Sequence, residues 1–401
     1  MNNYLLFEDR CEVKFRPLTL TRHLSDIRFG IITLKEKWEQ MLKSSTSCHL
    51  TEERSYLGKK FHGVYTENNV LINARIVPDK ELIAHIHDLE PNTYLTRENT
   101  IIACRLDAKS ARSFDPNSEA EGTSRREYSS KNNFFSIKQL TDVFSKNRQA
   151  ITYDFDLITL NRNSSKLSSA VHHIGDSKDL FIEEGAKVPL CSINTSSGPV
   201  YIGKNVEIME GSMLRGPLAL CDNSVVKMGA KLYGASTIGP WSKVGGEINN
   251  CVFQGYSNKA HDGFLGNSVI GEWCNLGADT NCSNLKNNYG SVKIWDFASD
   301  QMTSSGLIFC GLLMGDHSKC GINTMFNTGT TVGVNANIFG GGFPPKYIPS
   351  FAWGGENTWE EYNLEKALDV AETVYSRRDL ELDDIDRDIL TYIFENTRHT
   401  F

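Results

Sequence analysis

The sequence lacks the features that mark several large classes of protein. No run of 18 or more apolar residues occurs, so we predict no membrane-spanning segment. The N-terminus, MNNYLLFEDR, has neither a basic start nor a long apolar core, which argues against a secretory signal. The net charge of −7 comes without clusters of Lys and Arg, so we expect no nucleic-acid partner.

Disulfide patterning is also missing. The ten cysteines include no CxxC pair and no regular framework spacing, in a chain of 401 residues that is too large to need covalent staples. Hydrophobic residues make up 40% of the chain and charged residues 23%, as in ordinary globular proteins. We therefore expect a cytoplasmic protein of two or three domains.

A six-residue repeat is the strongest pattern present. Its small residues and many of the 32 glycines fall between aliphatic positions. The first run of aliphatic positions comprises Ile202, Ile208, Leu214, Leu220, Val226, Leu232, Ile238 and Val244. The same step continues at Phe264, Ile270 and Leu276, and then at Ile308, Met314, Cys320, Phe326, Val332 and Ile338.

A period of six fits neither a helix nor an ordinary alternating strand. It fits a triangular solenoid with one short strand and one turn per face, so that three hexads form a coil of about 18 residues. Residues 1–165 mix helical and strand patterns, and residues 359–378 and 382–394 have helical periodicity. We predict an α/β N-terminal domain (1–165), a parallel β-helix of hexapeptide repeats (166–343) and a C-terminal helical tail (344–401).

We expect the catalytic residues where the repeat is interrupted. His261 lies between small residues, close to Lys259 and Asp262, and residues 273–295 are rich in Asn and leave the six-residue frame. A neutral histidine beside such amides could take a proton from an amine or a hydroxyl. The alternative reading is that His261 caps a turn.

Residues 247–284 resemble the acetyltransferase site of the GlmU-type bifunctional enzymes, which make UDP-N-acetylglucosamine. The segments SNKAHDGFLG and GEWCNLGA carry this resemblance, and the strings PLTLTR, SNLKNNYG and MGDHSKCGINTMFNTGT extend it toward a divergent Bacteroidetes-type sugar nucleotidyltransferase branch. It implies a left-handed β-helix that N-acetylates an amino sugar 1-phosphate from acetyl-CoA. It also implies an N-terminal nucleotidyltransferase-like domain and a homotrimer.

The resemblance also implies roles for individual residues. His261 corresponds to the general base and Asn284 to a second catalytic residue, with Ala278 at the acetyl-CoA site. The implied substrate contacts are Lys227, Glu247, Asn249, Lys259, Asn275 and Lys286. Phe264, Leu285, Asn249 and Ile322 depart from the family pattern at positions that contact the acceptor or the thioester.

The N-terminal domain departs further from that family. The segment FRPLTLTR keeps Arg16 but has no glycine-rich loop before it, and such loops supply backbone N–H groups to phosphates. Asn73 stands where a carboxylate is expected. The implied phosphate-binding residues are Arg16, Arg22 and Asn73. Asp154 and Asp156 are the expected ligands of Mg²⁺.

Three functions remain open on these grounds. The first is an acetyltransferase that also transfers a nucleotide to a sugar 1-phosphate. The second is a uridylyl- or thymidylyltransferase alone, with the β-helix as a trimerisation scaffold. The third is a non-catalytic sugar-nucleotide-binding protein, which the missing glycine-rich loop favours.

Overall fold

A computed structural model describes residues 2–118, 124–129, 134–355 and 358–396. The chain forms two compact units. Unit 1 comprises Met1–Phe15, Thr21–Ile27 and Ile32–Gln139, and unit 2 comprises Arg16–Leu20, Arg28–Ile31 and Leu140–Phe401. The N-terminal unit therefore ends before the predicted boundary at residue 165, and two short N-terminal segments belong with the β-helix.

Unit 1 is an α/β sheet, as the mixed sequence pattern predicts. Its six strands lie in the order β2-β1-β3-β5-β4-β6. The strands are β1 (Asn3–Phe7), β2 (Thr46–His49), β3 (Asn69–Asn73), β4 (Thr93–Arg97), β5 (Thr100–Leu106) and β6 (Ser124–Glu127). The helices are α1 (Leu34–Leu42), α2 (Lys80–His87) and α3 (Ala108–Arg112), with 3₁₀ turns at Arg10–Phe15, Leu24–Asp26 and Glu52–Leu57.

The strand order of this sheet predicts a ligand crevice at the carboxyl ends of β1 and β3. Strand β1 pairs in parallel with β2 on one side and with β3 on the other. The chain therefore winds to opposite sides of β1, and open α/β sheets bind ligands at the carboxyl ends of their strands at such a point. The residues that follow β1 and β3 lie at this edge of the sheet.

Two helices join unit 2 through buried polar contacts. They are α4 (Asp142–Ser145) and α5 (Asn147–Thr159). The amide of Asn147 donates to the carbonyl of Ala235 at 2.7 Å and to the hydroxyl of Thr237 at 3.0 Å. These contacts explain why the chain changes units before residue 165.

The rest of unit 2 is a β-helix whose short strands stack into three faces. The first face contains Leu180–Ile182, Val200–Ile202, Leu218–Leu220, Ser236–Ile238, Val252–Gly255, Val269–Glu272, Leu313–Met314, Thr331–Val332 and Tyr347–Ile348. The second contains Glu207–Ile208, Val225–Val226, Lys243–Val244, Asn258–Lys259, Asn275–Leu276, Lys319–Cys320, Asn337–Ile338, Ala352–Gly355 and the antiparallel Thr358–Glu361. The third contains His172–Ile174, Ser192–Asn194, Met213–Arg215, Lys231–Tyr233, Glu247–Asn249 and Phe264–Gly266, continued by the paired strands Asn281–Cys282 and Met325–Phe326.

The predicted hexad is confirmed by the strand register. Ile202 pairs with Leu220, and Leu220 with Ile238, at steps of 18 residues. All eight aliphatic positions between residues 202 and 244 are buried in one continuous core. Two predicted core positions are wrong: Ile308 is exposed, and Leu265 rather than Phe264 enters the core.

The interruption of the repeat is a change in coil length. Val244 pairs with Lys259 only 15 residues later, and Ile248 pairs with Leu265 after 17. A longer excursion follows Cys282 and carries the hairpin Lys293–Asp296 and Gln301–Ser304. The short coil shifts the frame so that a lysine occupies an inward position.

Two helices follow the β-helix, near the predicted ranges. They are α6 (Leu364–Ser376) and α7 (Asp384–Asn396). Asn363 caps α6 by accepting the N–H of Lys366 at 3.0 Å, and the buried residues Ala367, Leu368, Ala371 and Tyr375 share one face. Among the described residues, no helix combines the length and apolarity needed to cross a membrane.

Candidate functional site

A cavity of about 550 Å³ opens on the second face of the β-helix, beside the last turn of α6. It combines apolar walls with amides and basic side chains. The lining residues are Lys243, Tyr256, Asn258, Ala260, His261, Trp273, Cys274, Asn275, Leu276, Gly277, Ala278, Lys319, Ile322, Val374, Arg377 and Arg378. Three of the predicted site residues, His261, Asn275 and Ala278, meet in this one cavity.

His261 lies at the corner between the second and third faces. It follows the strand Asn258–Lys259 and is exposed at the cavity wall. One coil further on, Gly277 is required for close stacking, because a Cβ there would lie 2.4 Å from the carbonyl oxygen of Gly321. Asn275 and Ala278 flank this glycine, so the tight coil holds both against the cavity.

Lys259, a predicted substrate contact, is not among the residues that line the cavity. The shortened coil places it in the core, where only 1% of its surface is exposed. Its ammonium donates hydrogen bonds to the backbone carbonyls of His261 and Asp262. Burial lowers the pKa of Lys259 to about 8. Lys259 therefore braces the turn that carries His261.

Four basic side chains of the cavity were missed by the sequence reasoning. They are Lys243, Lys319, Arg377 and Arg378, and no acidic residue accompanies them in the cavity lining. Burial and then the charge of Arg378 lower the pKa of Lys243. The pair RR at the end of a predicted amphipathic helix was a signal, but nothing in the sequence indicated that this helix end reaches His261.

An aromatic stack holds the last turn of α6 beside the cavity. Tyr375, on the buried face of α6, stacks on Trp273 at 4.0 Å between ring centroids, and Trp273 stacks on Tyr256 at 4.3 Å. Trp273 and Tyr256 are corner residues with φ of 60° and 52°, in the left-handed region that large side chains seldom adopt. Asn205 and Asn223 occupy the equivalent corners of earlier coils. Aromatic residues in place of Asn at these corners form the surface on which α6 packs.

The other predicted acetyltransferase residues lie outside this cavity. Glu247 and Asn249 are on the third face, where the Glu247 carboxylate accepts a hydrogen bond from the hydroxyl of Tyr233. Asn284 donates to the side-chain oxygen of Asn267 at 2.8 Å. The third face therefore holds a second polar group on the other side of the His261 corner.

Two predicted lysines occupy different places again. Lys286 lies in the excursion and donates to the carbonyl of Ser291 at 3.1 Å. Lys227 is half-buried on the turn after Val225–Val226, stacked beside Gly245. Neither lysine lines the cavity.

In unit 1, Asn73 ends β3 beside the end of β1, at the predicted crevice, but its side chain is engaged. The carboxylate of Asp9 accepts from the Asn73 amide at 2.9 Å and from Nε of Arg75 at 2.8 Å. Next to it, the buried guanidinium of Arg54 pairs with Glu8 at 3.2 Å and with Glu12. In place of a glycine-rich loop, the chain forms the 3₁₀ turn Arg10–Phe15.

These charges are balanced within the protein. Burial alone would raise the pKa of Glu8, but the nearby His23 and Arg54 lower it below its ordinary value. Arg22 is also buried and lies 4.0 Å from Asp26. Arg16 belongs to unit 2. The predicted phosphate-binding set of Arg16, Arg22 and Asn73 is therefore not brought together within one unit.

The predicted metal ligands are likewise separated. Asp154 and Asp156 are two residues apart on α5, so their side chains point to different sides of the helix. Asp154 is buried and accepts the N–H of Ile31 at 2.7 Å, whereas Asp156 is exposed. Among the described residues, no group of three or more His, Cys, Asp or Glu side chains could hold a metal ion. These residues do not fit a protein-bound Mg²⁺ site.

Comparison with known proteins supports the predicted resemblance. Residues 4–163 match the family described as sugar nucleotidyl transferase. The bifunctional protein GlmU of Methanocaldococcus jannaschii is 31% identical over 123 residues, which are 31% of this chain and 27% of that protein. A bifunctional sugar-1-phosphate nucleotidylyltransferase/acetyltransferase of Sulfurisphaera tokodaii is 30% identical over 146 residues, or 36% of each chain. The chain thus spans about a third of the length of these curated relatives.

A solved acyltransferase structure also aligns with this chain. The UDP-N-acetylglucosamine acyltransferase of Francisella novicida matches with a TM-score of 0.27 and 11% identity, covering 58% of this chain and 90% of that one. The assignment of the β-helix therefore rests on the strand register of the chain itself.

Proposed function

We propose that this chain is a transferase of sugar-nucleotide biosynthesis that N-acetylates an amino sugar 1-phosphate from acetyl-CoA. The supporting observation is the meeting of His261, Asn275 and Ala278 in one cavity beside basic side chains. The similarity to bifunctional nucleotidylyltransferase/acetyltransferases agrees with this proposal.

The chemistry follows from the position of His261. The neutral amine of the acceptor attacks the thioester carbonyl, the new N–C bond forms, and the C–S bond breaks. The exposed imidazole takes the proton that the nitrogen loses and returns it to the leaving thiolate. The amides of Asn258 and Asn275 stand along the same wall and offer donors and acceptors to substrate hydroxyls.

Release of coenzyme A tests this proposal. Wild type and His261→Ala are incubated with acetyl-CoA and glucosamine 1-phosphate, and coenzyme A and the N-acetylated product are quantified by chromatography and mass spectrometry. Chromatography is preferable to thiol reagents because the protein carries ten free cysteines. We expect turnover in the wild type and a loss of about 100-fold or more in His261→Ala.

The matched control is His172→Ala. His172 is exposed on the third face, far along the chain from the cavity lining, so this variant should keep wild-type turnover. Equal activity of wild type and His261→Ala would contradict the role of His261. A wild type that acetylates neither glucosamine 1-phosphate nor other amino sugar 1-phosphates would contradict the proposed reaction.

We infer a second activity, nucleotidyl transfer from an NTP to a sugar 1-phosphate, in unit 1. Its support is the sugar nucleotidyl transferase match over residues 4–163 together with the crevice between β1 and β3. Pyrophosphate release from UTP or dTTP with a sugar 1-phosphate, with and without Mg²⁺, tests it. Activity that persists in Asn73→Ala would exclude Asn73 from the site. No release with either nucleotide would leave unit 1 without this function.

We further propose that the chain acts as a homotrimer in the cytoplasm. The edge of the β-helix that carries His261 also exposes Met228 and Ile322, and exposed apolar side chains favour association. The ten free cysteines suit a reducing compartment. Light scattering on the purified protein should give three times the 44.9 kDa chain mass.

A further inference from the structure

Among the described residues, three cations that line the cavity form no salt bridge, although the charge of Glu207 acts on Lys243. Lys243 projects from the second face, and Arg377 and Arg378 follow the last turn of α6. None of the three forms a salt bridge there, although the same unit pairs Arg162 with Glu183 and Arg387 with Glu372. Unpaired cations that share a concave surface repel one another unless an anion joins them.

The guanidinium of Arg378 forms only long hydrogen bonds within the described residues. Its nearest acceptors are the Asn258 side-chain oxygen at 3.4 Å and the Trp241 carbonyl at 3.5 Å, both at the limit of hydrogen bonding. Its Nε is buried and has no hydrogen-bond partner among the described residues. Burial and then the charge of Arg377 lower the pKa of Arg378.

The backbone that presents these arginines is fixed by packing. The stack of Tyr375 on Trp273 and of Trp273 on Tyr256 anchors the last turn of α6, and Arg377 and Arg378 come directly after it. A helix carboxyl end is also a favourable place for positive charge. The backbone of both arginines is therefore held in place, which lowers the ordering cost of binding an anion there.

We propose that Lys243, Arg377 and Arg378 form an anion subsite that binds a phosphate or diphosphate group of one of the two substrates. This inference rests on the proposed acyl transfer for the identity of its ligand. Planar guanidinium groups bind phosphate oxygens in pairs, and a lysine adds a point charge. Both proposed substrates, acetyl-CoA and an amino sugar 1-phosphate, carry such groups, and these three residues line the cavity that also contains His261.

Binding of inorganic pyrophosphate tests the subsite without any activity. It is titrated calorimetrically into the full-length wild type and into Arg378→Gln, Arg377→Gln and Lys243→Gln. We expect the affinity to fall about tenfold or more in Arg378→Gln and to decrease in the other two. Lys231→Gln, which removes an exposed cation of the third face, is the matched control and should bind as the wild type does. Unchanged affinity in all three cavity variants would overturn the subsite, whatever the acyl-transfer assay shows.

Truncated substrates identify which phosphate occupies the subsite. The KM effect of Arg378→Gln is measured for acetyl-CoA against acetyl-pantetheine, and for the amino sugar 1-phosphate against the free amino sugar. An effect that disappears with acetyl-pantetheine supports the subsite with the donor as its ligand. An effect that disappears with the free sugar supports it with the acceptor. An effect that persists with both truncated substrates overturns the proposal.

Discussion

The cavity of the β-helix and the crevice of unit 1 are both rich in charge, but they use that charge differently. In the crevice, Arg54 is buried between Glu8 and Glu12, and Asp9 is shared by Asn73 and Arg75. In the cavity, basic side chains line the wall with no acidic residue beside them in the described lining. Removing one member of a charge pair inside a protein destabilises the fold, whereas a charge without such a pair is available to a ligand.

The largest expected effect separates these two kinds of charge. Arg54→Met leaves Glu8 and Glu12 buried without their cation, and breaking a buried pair costs about 3–5 kcal/mol. Arg377→Met removes an exposed cation that forms no salt bridge within the described part of the chain, and it should change stability by less than about 0.5 kcal/mol. Urea denaturation of both variants measures the difference. Equal losses of stability would break the comparison.

The two aspartates of α5 extend this comparison between charges that are engaged within the fold and charges that are exposed. Asp154→Asn weakens the charge-assisted hydrogen bond to the N–H of Ile31, and we expect a loss of about 1–3 kcal/mol. Asp156→Asn, two residues away and exposed, should leave the free energy of unfolding unchanged. Neither change should alter the Mg²⁺ dependence of any nucleotidyl transfer. A selective loss of that dependence in Asp156→Asn would restore it as a metal ligand.

Lys259 is a charged residue of the β-helix that serves the fold and the cavity together. Lys259→Met removes the two hydrogen bonds that hold the turn of His261, so kcat for acetyl transfer should fall by about tenfold. KM should stay within about twofold because the side chain is buried. A large rise in KM with unchanged kcat would instead return Lys259 to substrate binding.

The same variant gives a signature in pH. The pKa of Lys259 is about 8 in the folded chain, below the ordinary value of 10.5, so the unfolded chain binds more protons between these values. Stability should therefore rise as the pH increases from about 8 to 10.5. Lys259→Met should show less of this rise than the wild type in denaturation at successive pH values. An identical pH dependence in both proteins would show that Lys259 keeps its ordinary pKa.

The sequence predicts the β-helix because its core obeys a local rule. From Ile202 to Val244, every sixth side chain is aliphatic and points to the interior, and the strand register confirms this period. The rule fails at Lys259 because the coil shortens to 15 residues, and a change of coil length moves every following side chain. Ile308 keeps the period but lies in the excursion, so it is exposed.

The candidate site is predictable only in part for the same reason. His261, Asn275 and Ala278 belong to neighbouring coils within one short stretch of sequence, so the motif itself predicts that they lie close together. Arg377 and Arg378 reach the cavity through the stack of Tyr375 on Trp273, a contact across about 100 residues that no local pattern encodes. The helix that carries Asp154 and Asp156 directs their side chains to different sides, and the sequence pattern did not indicate this helix.

A structure of the wild-type protein with coenzyme A would test the central claim most directly. We predict that the coenzyme occupies the cavity, with its thiol beside the imidazole of His261 and its chain along Asn275 and Ala278. Coenzyme A bound away from the second face, with this cavity free, would contradict the claim.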